Sequence, residues 1–204
     1  RGCSSVANTL VSQFEPARVT YHWTIPLIAA LGSLILAVVV NRVGRRTVLV
    51  RTFTFLAVTL VFWNLNFFVM YFVGDNDLAF KFTRAFRCVA ILMPVAVFHL
   101  SVALSDQGKP GWQRVLAIDY LLAAALVVAN WFDLLVSGLG QSAWGFYSVG
   151  TRYYDLFSLF LLVNFVGAVA QMAYAFRTSS DPQTRLQMKF WLLGSLIALP
   201  LGLT

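Results

Sequence analysis

Charge is in short supply in this sequence. Only 11% of its 204 residues are Asp, Glu, Lys or Arg, and 59% are hydrophobic; ordinary soluble domains carry roughly 25% charged residues. A water-soluble fold of this length has too little interior to hide so much apolar surface, so the shortage argues against a soluble globular domain and for hydrocarbon as the solvent. Cysteine is nearly absent. Cys3 and Cys88 lie in different settings and offer neither a disulfide framework nor a thiolate metal site. The run Arg1-Gly-Cys3 resembles a lipidated N-terminus, but a charge stands two residues before the cysteine where a small or apolar residue belongs, which favours a free thiol. Histidine is as rare. His22 and His99 fall at different depths and cannot pair on a haem, and Lys189 sits at a segment boundary rather than deep in a late helix, where a retinal pigment needs its lysine. No Ser-His-Asp set, metal-ligand spacing or Gly-rich phosphate loop is present, nor an inverted repeat of broken helices of the kind transporters use. The segment carries no catalytic signature, and its cofactors are unknown.

What the sequence does hold is long uncharged runs. A hydrocarbon core of about 30 Å needs roughly 20 apolar residues in a helix. Such runs predict spans at about 19–41, 52–74, 85–105, 115–136, 153–176 and 189–204, the last cut short by the end of the sequence. The expected fold is all-α: a polytopic transmembrane helix bundle with six spans visible and seven in the full chain, preceded by an amphipathic or irregular segment at 1–18. The connections are short and rich in turn residues, and the longest, Ser137 to Thr151, is rich in Gly, Ser and aromatics.

A net charge of +7 would suggest nucleic acid for a soluble protein; here basic residues report topology instead, and no nucleic-acid partner is expected. With the N-terminus outside, inner segments hold Arg42, Arg45, Arg46, Arg51, Lys109, Arg114, Arg177, Arg185 and Lys189. Outer ones hold Arg1, Arg18, Lys81, Arg84, Arg87 and Arg152. The cluster after the first span decides for an outside N-terminus.

Ionisable groups at membrane depth are costly and mark candidate sites. Arg84 and Arg87 open the third span, three residues apart and so on one helix face. Asp133 ends the fourth, and Arg152 and Asp155 start the fifth. With Trp144 closing over them, they form a candidate outer ligand site; the plainer alternative is a set of interface residues paired with one another or with lipid phosphates. Asp119, one turn inside the inner face, suits a helix lock. Asn64, Asn66, Asn130, Asn164 and Gln171 are candidates for polar contacts between helices, which contribute roughly 0.5 to 2 kcal/mol each. Pro26, Pro94 and Pro200 allow kinks.

The Arg-rich first inner loop leads into Phe53-Thr-Phe-Leu-Ala-Val-Thr-Leu-Val-Phe-Trp63. Arg84-Ala-Phe-Arg87 runs on to Leu92-Met-Pro-Val95 and Phe98-His-Leu-Ser101, and Arg185-Leu-Gln-Met-Lys-Phe-Trp-Leu-Leu-Gly194 closes the set. In these features, over roughly residues 25 to 204, the chain resembles the seven-transmembrane N-terminal sensor region of bacterial histidine kinases, a region also fused to diguanylate cyclases. The resemblance implies a signal-transduction input module in the bacterial cytoplasmic (inner) membrane, with an odd number of spans returning the chain to a cytoplasmic kinase or cyclase. It carries over no binding residue. Beyond the bilayer, the expected partners are a second copy or a larger membrane complex, and the rival readings are an accessory subunit or a transporter.

Overall fold

The computed structural model describes residues 23–44, 47–105, 110–142 and 145–202; the segment 1–18 and Trp144 lie outside them. Seven helices and one hairpin follow in order: α1 (Thr24–Val43), α2 (Val48–Phe72), α3 (Asn76–Ala90), α4 (Met93–Leu104), α5 (Pro110–Trp131), β1 (Val136–Ser142), β2 (Gly145–Gly150), α6 (Tyr154–Thr178) and α7 (Pro182–Gly202). Among the described residues five segments are long and apolar enough to cross a membrane, α3 and α4 counting as one, Asn76–Leu104.

Several ends are set by capping. The Thr47 hydroxyl accepts from Val50 N at the start of α2, and the Asp75 carboxylate accepts from Leu78 N at 2.9 Å at the start of α3. Asp181 takes the Gln183 and Thr184 amides ahead of Pro182, the first residue of α7, where a missing N–H costs nothing. Pro26 likewise falls in the first turn of α1. Pro94 is different. It lies within the third span, cannot donate to the preceding turn, and the helix breaks at Ile91 and Leu92 between α3 and α4.

The broken third span is the centre of the molecule and the most buried of the five. α3 packs on α2 and α5; α4 packs on α2, α5 and α6; α1 lies against α2, and α7 against α6. Ile91, Val95, Ala123, Leu135, Val136 and Phe157 form one core cluster, and Leu56, Ala96 and Leu100 a second. α3 buries Ala79, Thr83, Arg87 and Ala90 at helical spacing, so one arginine occupies a stripe otherwise made of small residues.

Three features depart from expectation. The third span begins at Asn76 rather than at 85. The helix of the fourth span runs 110–131 rather than 115–136, which carries Asp119 from one turn inside a face to nine residues in, about 14 Å along a helix of about 33 Å. And the all-α expectation misses a β-hairpin at the end of the molecule where α2 ends and α6 begins. β1 and β2 pair antiparallel with an irregularity at Val136/Gly138. Leu135 and Val136 anchor the hairpin in the core, β1 rests on α3 and β2 on α2.

Candidate functional site

At the hairpin end, α3 turns Arg84 and Arg87 toward the end of α5. Arg84 Nη2 meets Asp133 Oδ2 at 2.5 Å, with both side chains partly exposed, while the Arg84 guanidinium lies 5.1 Å from the Phe80 ring. Arg87 is only 8% exposed. Its Nη1 donates to Asn130 Oδ1 at 3.3 Å and its Nη2 to Ser148 Oγ on β2. Asn130 in turn donates to the Arg84 carbonyl at 3.0 Å and to Cys88 Sγ at 3.3 Å. One buried guanidinium and one buried amide therefore join three elements: α3, α5 and the hairpin.

The backbone at Asp133 is as telling as its carboxylate. Asp133 N donates to Asn130 O and Leu134 N to Ala129 O, closing α5 in a Schellman turn. The residue that must adopt the left-handed conformation there is Asp133, with φ 58°. Glycine takes that position at no steric cost, but it has no carboxylate to offer Arg84.

Farther along α5, a second set of polar groups pairs with other helices. Asn164 Nδ2 of α6 donates to Asp119 Oδ1 at 3.0 Å, while Asp119 Oδ2 is buried with no partner among the described residues. Tyr120, the next residue, meets His99 Nδ1 of α4 through its hydroxyl at 2.9 Å. Each pair borders a groove. One, of about 250 Å³, is lined by residues of α4, α5 and α6, Asp119 and Asn164 among them. The other, of about 230 Å³, is lined by Val48, Arg51, Thr52, Phe55, His99 and Tyr120. α5 is held by both kinds of contact: Leu126, Val127 and Ala129 pack on the first core cluster, Trp112 and Leu116 on Phe98, Val102 and Ala168, and polar pairs add to them. Asp119, Ala123 and Asn130 are its buried side chains among those described, and two of the three are polar.

Of the residues singled out in the sequence, Arg84, Arg87 and Asp133 converge. Arg152 and Asp155 do not join them: Arg152 lies over the Tyr153 ring and donates to its hydroxyl, and Asp155 is exposed in the first turn of α6. Asn130, Asp119, Asn164 and Gln171 bridge helices, the last by donating to Ser105 Oγ at 3.0 Å. Asn64 instead donates to the Leu60 carbonyl of its own helix, and Asn66 Oδ1 is buried without a partner among the described residues. The sequence singles out Asn130 only as a helix–helix contact; its place in the arginine site comes from the last turn of α5, next to the turn that carries Asp133. Ser148 gave no signal in a Gly/Ser-rich connection.

Outside the apolar segments, Asp181 holds a depressed carboxyl pKa, first through the Thr184 hydroxyl and then through the Thr184 and Gln183 amides. Among the described residues no group of three His, Cys, Asp or Glu could hold a metal ion. The helices define a helical membrane protein. No protein-family model, curated protein or solved structure matches the chain.

Proposed function

We propose that the chain is the membrane-embedded input module of a signal-transduction protein, coupling a signal at the hairpin face or within the bilayer to a cytoplasmic output domain. In this reading the hairpin end faces outward, the full chain has seven spans in a bacterial cytoplasmic (inner) membrane, and the output is a histidine kinase or diguanylate cyclase. Arg42, Arg51, Arg114, Arg177, Arg185 and Lys189 lie toward the end opposite the hairpin, which supports that orientation through the positive-inside bias.

The observation that carries the proposal is the way α5 is held. Its buried stripe is polar at both ends, it borders a groove on either side, and its hairpin end is tied to two arginines. A helix whose packing is complemented by a few directional bonds can settle in a second arrangement when those bonds are exchanged. A signal acts by binding one arrangement better than the other. Arg87 is the hinge of the input, since its side chain bonds both α5, at Asn130, and the hairpin, at Ser148.

The test is output activity of the full-length protein in membrane vesicles. Arg87→Ala should leave insertion and amount unchanged and blunt the response at least severalfold; an undiminished response would overturn the reading. A second reading, an accessory subunit of a membrane complex, is favoured by the long uncovered apolar faces of α1 and α5. Ile25, Ile28 and Ile35 on α1 and Ile118 and Leu121 on α5 are each more than half exposed. Co-purification with a stoichiometric partner, and no output domain in the full-length protein, would support that reading instead.

A further inference from the structure

The groove between α4, α5 and α6 has a composition that fits one kind of occupant. Of its eight lining residues, Phe98, Val115, Ile118, Leu122, Val163 and Gly167 are apolar, and the polar pair Asp119 and Asn164 supplies the rest. Its rim is open: Val115, Ile118, Leu122 and Val163 are between 44% and 60% exposed, on the side that lipid would occupy. Asp119, by contrast, is 9% exposed, lies near the middle of its helix, and keeps one carboxyl oxygen without a donor among the described residues. A buried acceptor left unpaired in hydrocarbon is expensive. A stable buried water needs two to four polar partners and would find only Asp119 and Asn164 here, whereas a hydroxyl carried on an apolar chain also fills the apolar remainder of the groove.

We propose that this groove binds a lipid-soluble alcohol or phenol, a neutral and largely apolar molecule that enters from the bilayer and donates its hydroxyl to Asp119 Oδ2. An ammonium headgroup is disfavoured, since it is held at the membrane interface by its own hydration. The volume of about 250 Å³ falls just short of the 300 to 1,000 Å³ usual for sites that engulf a whole ligand. It suits the hydroxyl-bearing end of a molecule whose remainder lies along Ile118, Leu122 and Val163. Gly167 keeps the floor open, because a methyl group there would sit 3.3 Å from the Phe98 ring. The site requires the bilayer but not the signalling role.

The test compares two photoreactive probes on the purified protein in lipid nanodiscs: a diazirine-bearing long-chain alcohol and its methyl ether, which keeps the chain and loses the donor. The alcohol should label residues of α5 and α6 around the groove about tenfold more efficiently than the ether, the discrimination expected of a hydrogen bond to a carboxylate. Excess dodecanol should compete it away. Val163→Trp, which crowds the rim from an exposed position, should abolish the labelling without disturbing the Asp119 pair. Equal labelling by the two probes would overturn the proposal, as would labelling indifferent to Val163→Trp. So would cross-linking of a helix from another chain into the groove, which would make it a helix-docking face. The probe comparison uses the unaltered protein, so it stands even where Asp119 variants fail to fold.

Discussion

At the scale of single residues, Asp133 concentrates two opposing demands. Its left-handed backbone is one that a residue with a Cβ adopts at a cost of roughly 1 kcal/mol, yet its carboxylate holds Arg84 from a half-exposed position, a pair worth about 0.2 to 1 kcal/mol. The two terms nearly offset. Asp133→Gly should therefore be close to neutral in stability, since it loses the ion pair but relieves the backbone. Asp133→Ala loses the pair and keeps the strain, and should be less stable than the glycine variant by about 1 kcal/mol. Denaturation in detergent measures both. An alanine variant as stable as the glycine one would mean that the turn is not left-handed at that residue. The same residue shows how far a sequence can be read: charges at matching depth brought Arg84 and Asp133 together, but nothing in their spacing disclosed the Schellman turn that aims the carboxylate.

At the scale of elements, helices were legible where they are uncharged and hidden where they are not. α3 carries Asp77, Lys81, Arg84 and Arg87, so a search for uncharged runs starts the third span nine residues late, although the Asp75 cap marks its true beginning. α5 begins early for a similar reason, with Arg114 lying inside it. The hairpin was invisible because glycine and serine weaken strand propensity; its pairing is specified by contacts beyond the connection, Leu135 and Val136 in the core and Ser148 on Arg87. Gly140 pairs with Tyr147 across the ladder, and a Cβ at Gly140 would come within 2.3 Å of the Tyr147 ring. The ring covers the glycine as a side chain would. Gly140→Ala must displace it, at a cost of about 1 to 3 kcal/mol, and amide exchange in both strands should rise while exchange in α1 is unchanged. The start of α7 offers a pH dependence. Asp181 has a folded pKa below that of the unfolded chain, so its contribution is present above the unfolded value, near 3.9, and is lost as the pH falls through the lower folded value. Amide exchange of the first turn of α7, corrected for its intrinsic pH dependence, should show less protection in acid than at neutral pH, and Asp181→Ala should erase the difference.

At the scale of the whole molecule, the distribution of polar contacts separates a firm part from one that can shift. α1 and α2 meet along their length, with Trp23, Phe68 and Phe72 packed edge to face or tilted at 4.9 to 6.1 Å. α5 adds directional bonds to its apolar packing, at Asp119, Tyr120, Asn130 and Asp133, and borders two grooves. Removing one of its tethers should therefore loosen a defined unit rather than the fold. Asn130→Ala deletes the bonds to the Arg84 carbonyl and Cys88 and leaves Arg87 short of an acceptor, a loss of about 1 to 3 kcal/mol for a buried group. In nanodiscs, amide exchange should accelerate together in the C-terminal half of α5 and in the hairpin, because Arg87 ties them to one another, while the α1–α2 pair keeps its protection. Acceleration spread evenly over all helices would mean that α5 is merely part of one cooperative bundle. Acceleration in α5 with a silent hairpin would mean that Arg87 does not join the two, and the route from the hairpin face into the membrane would be cut at its first step.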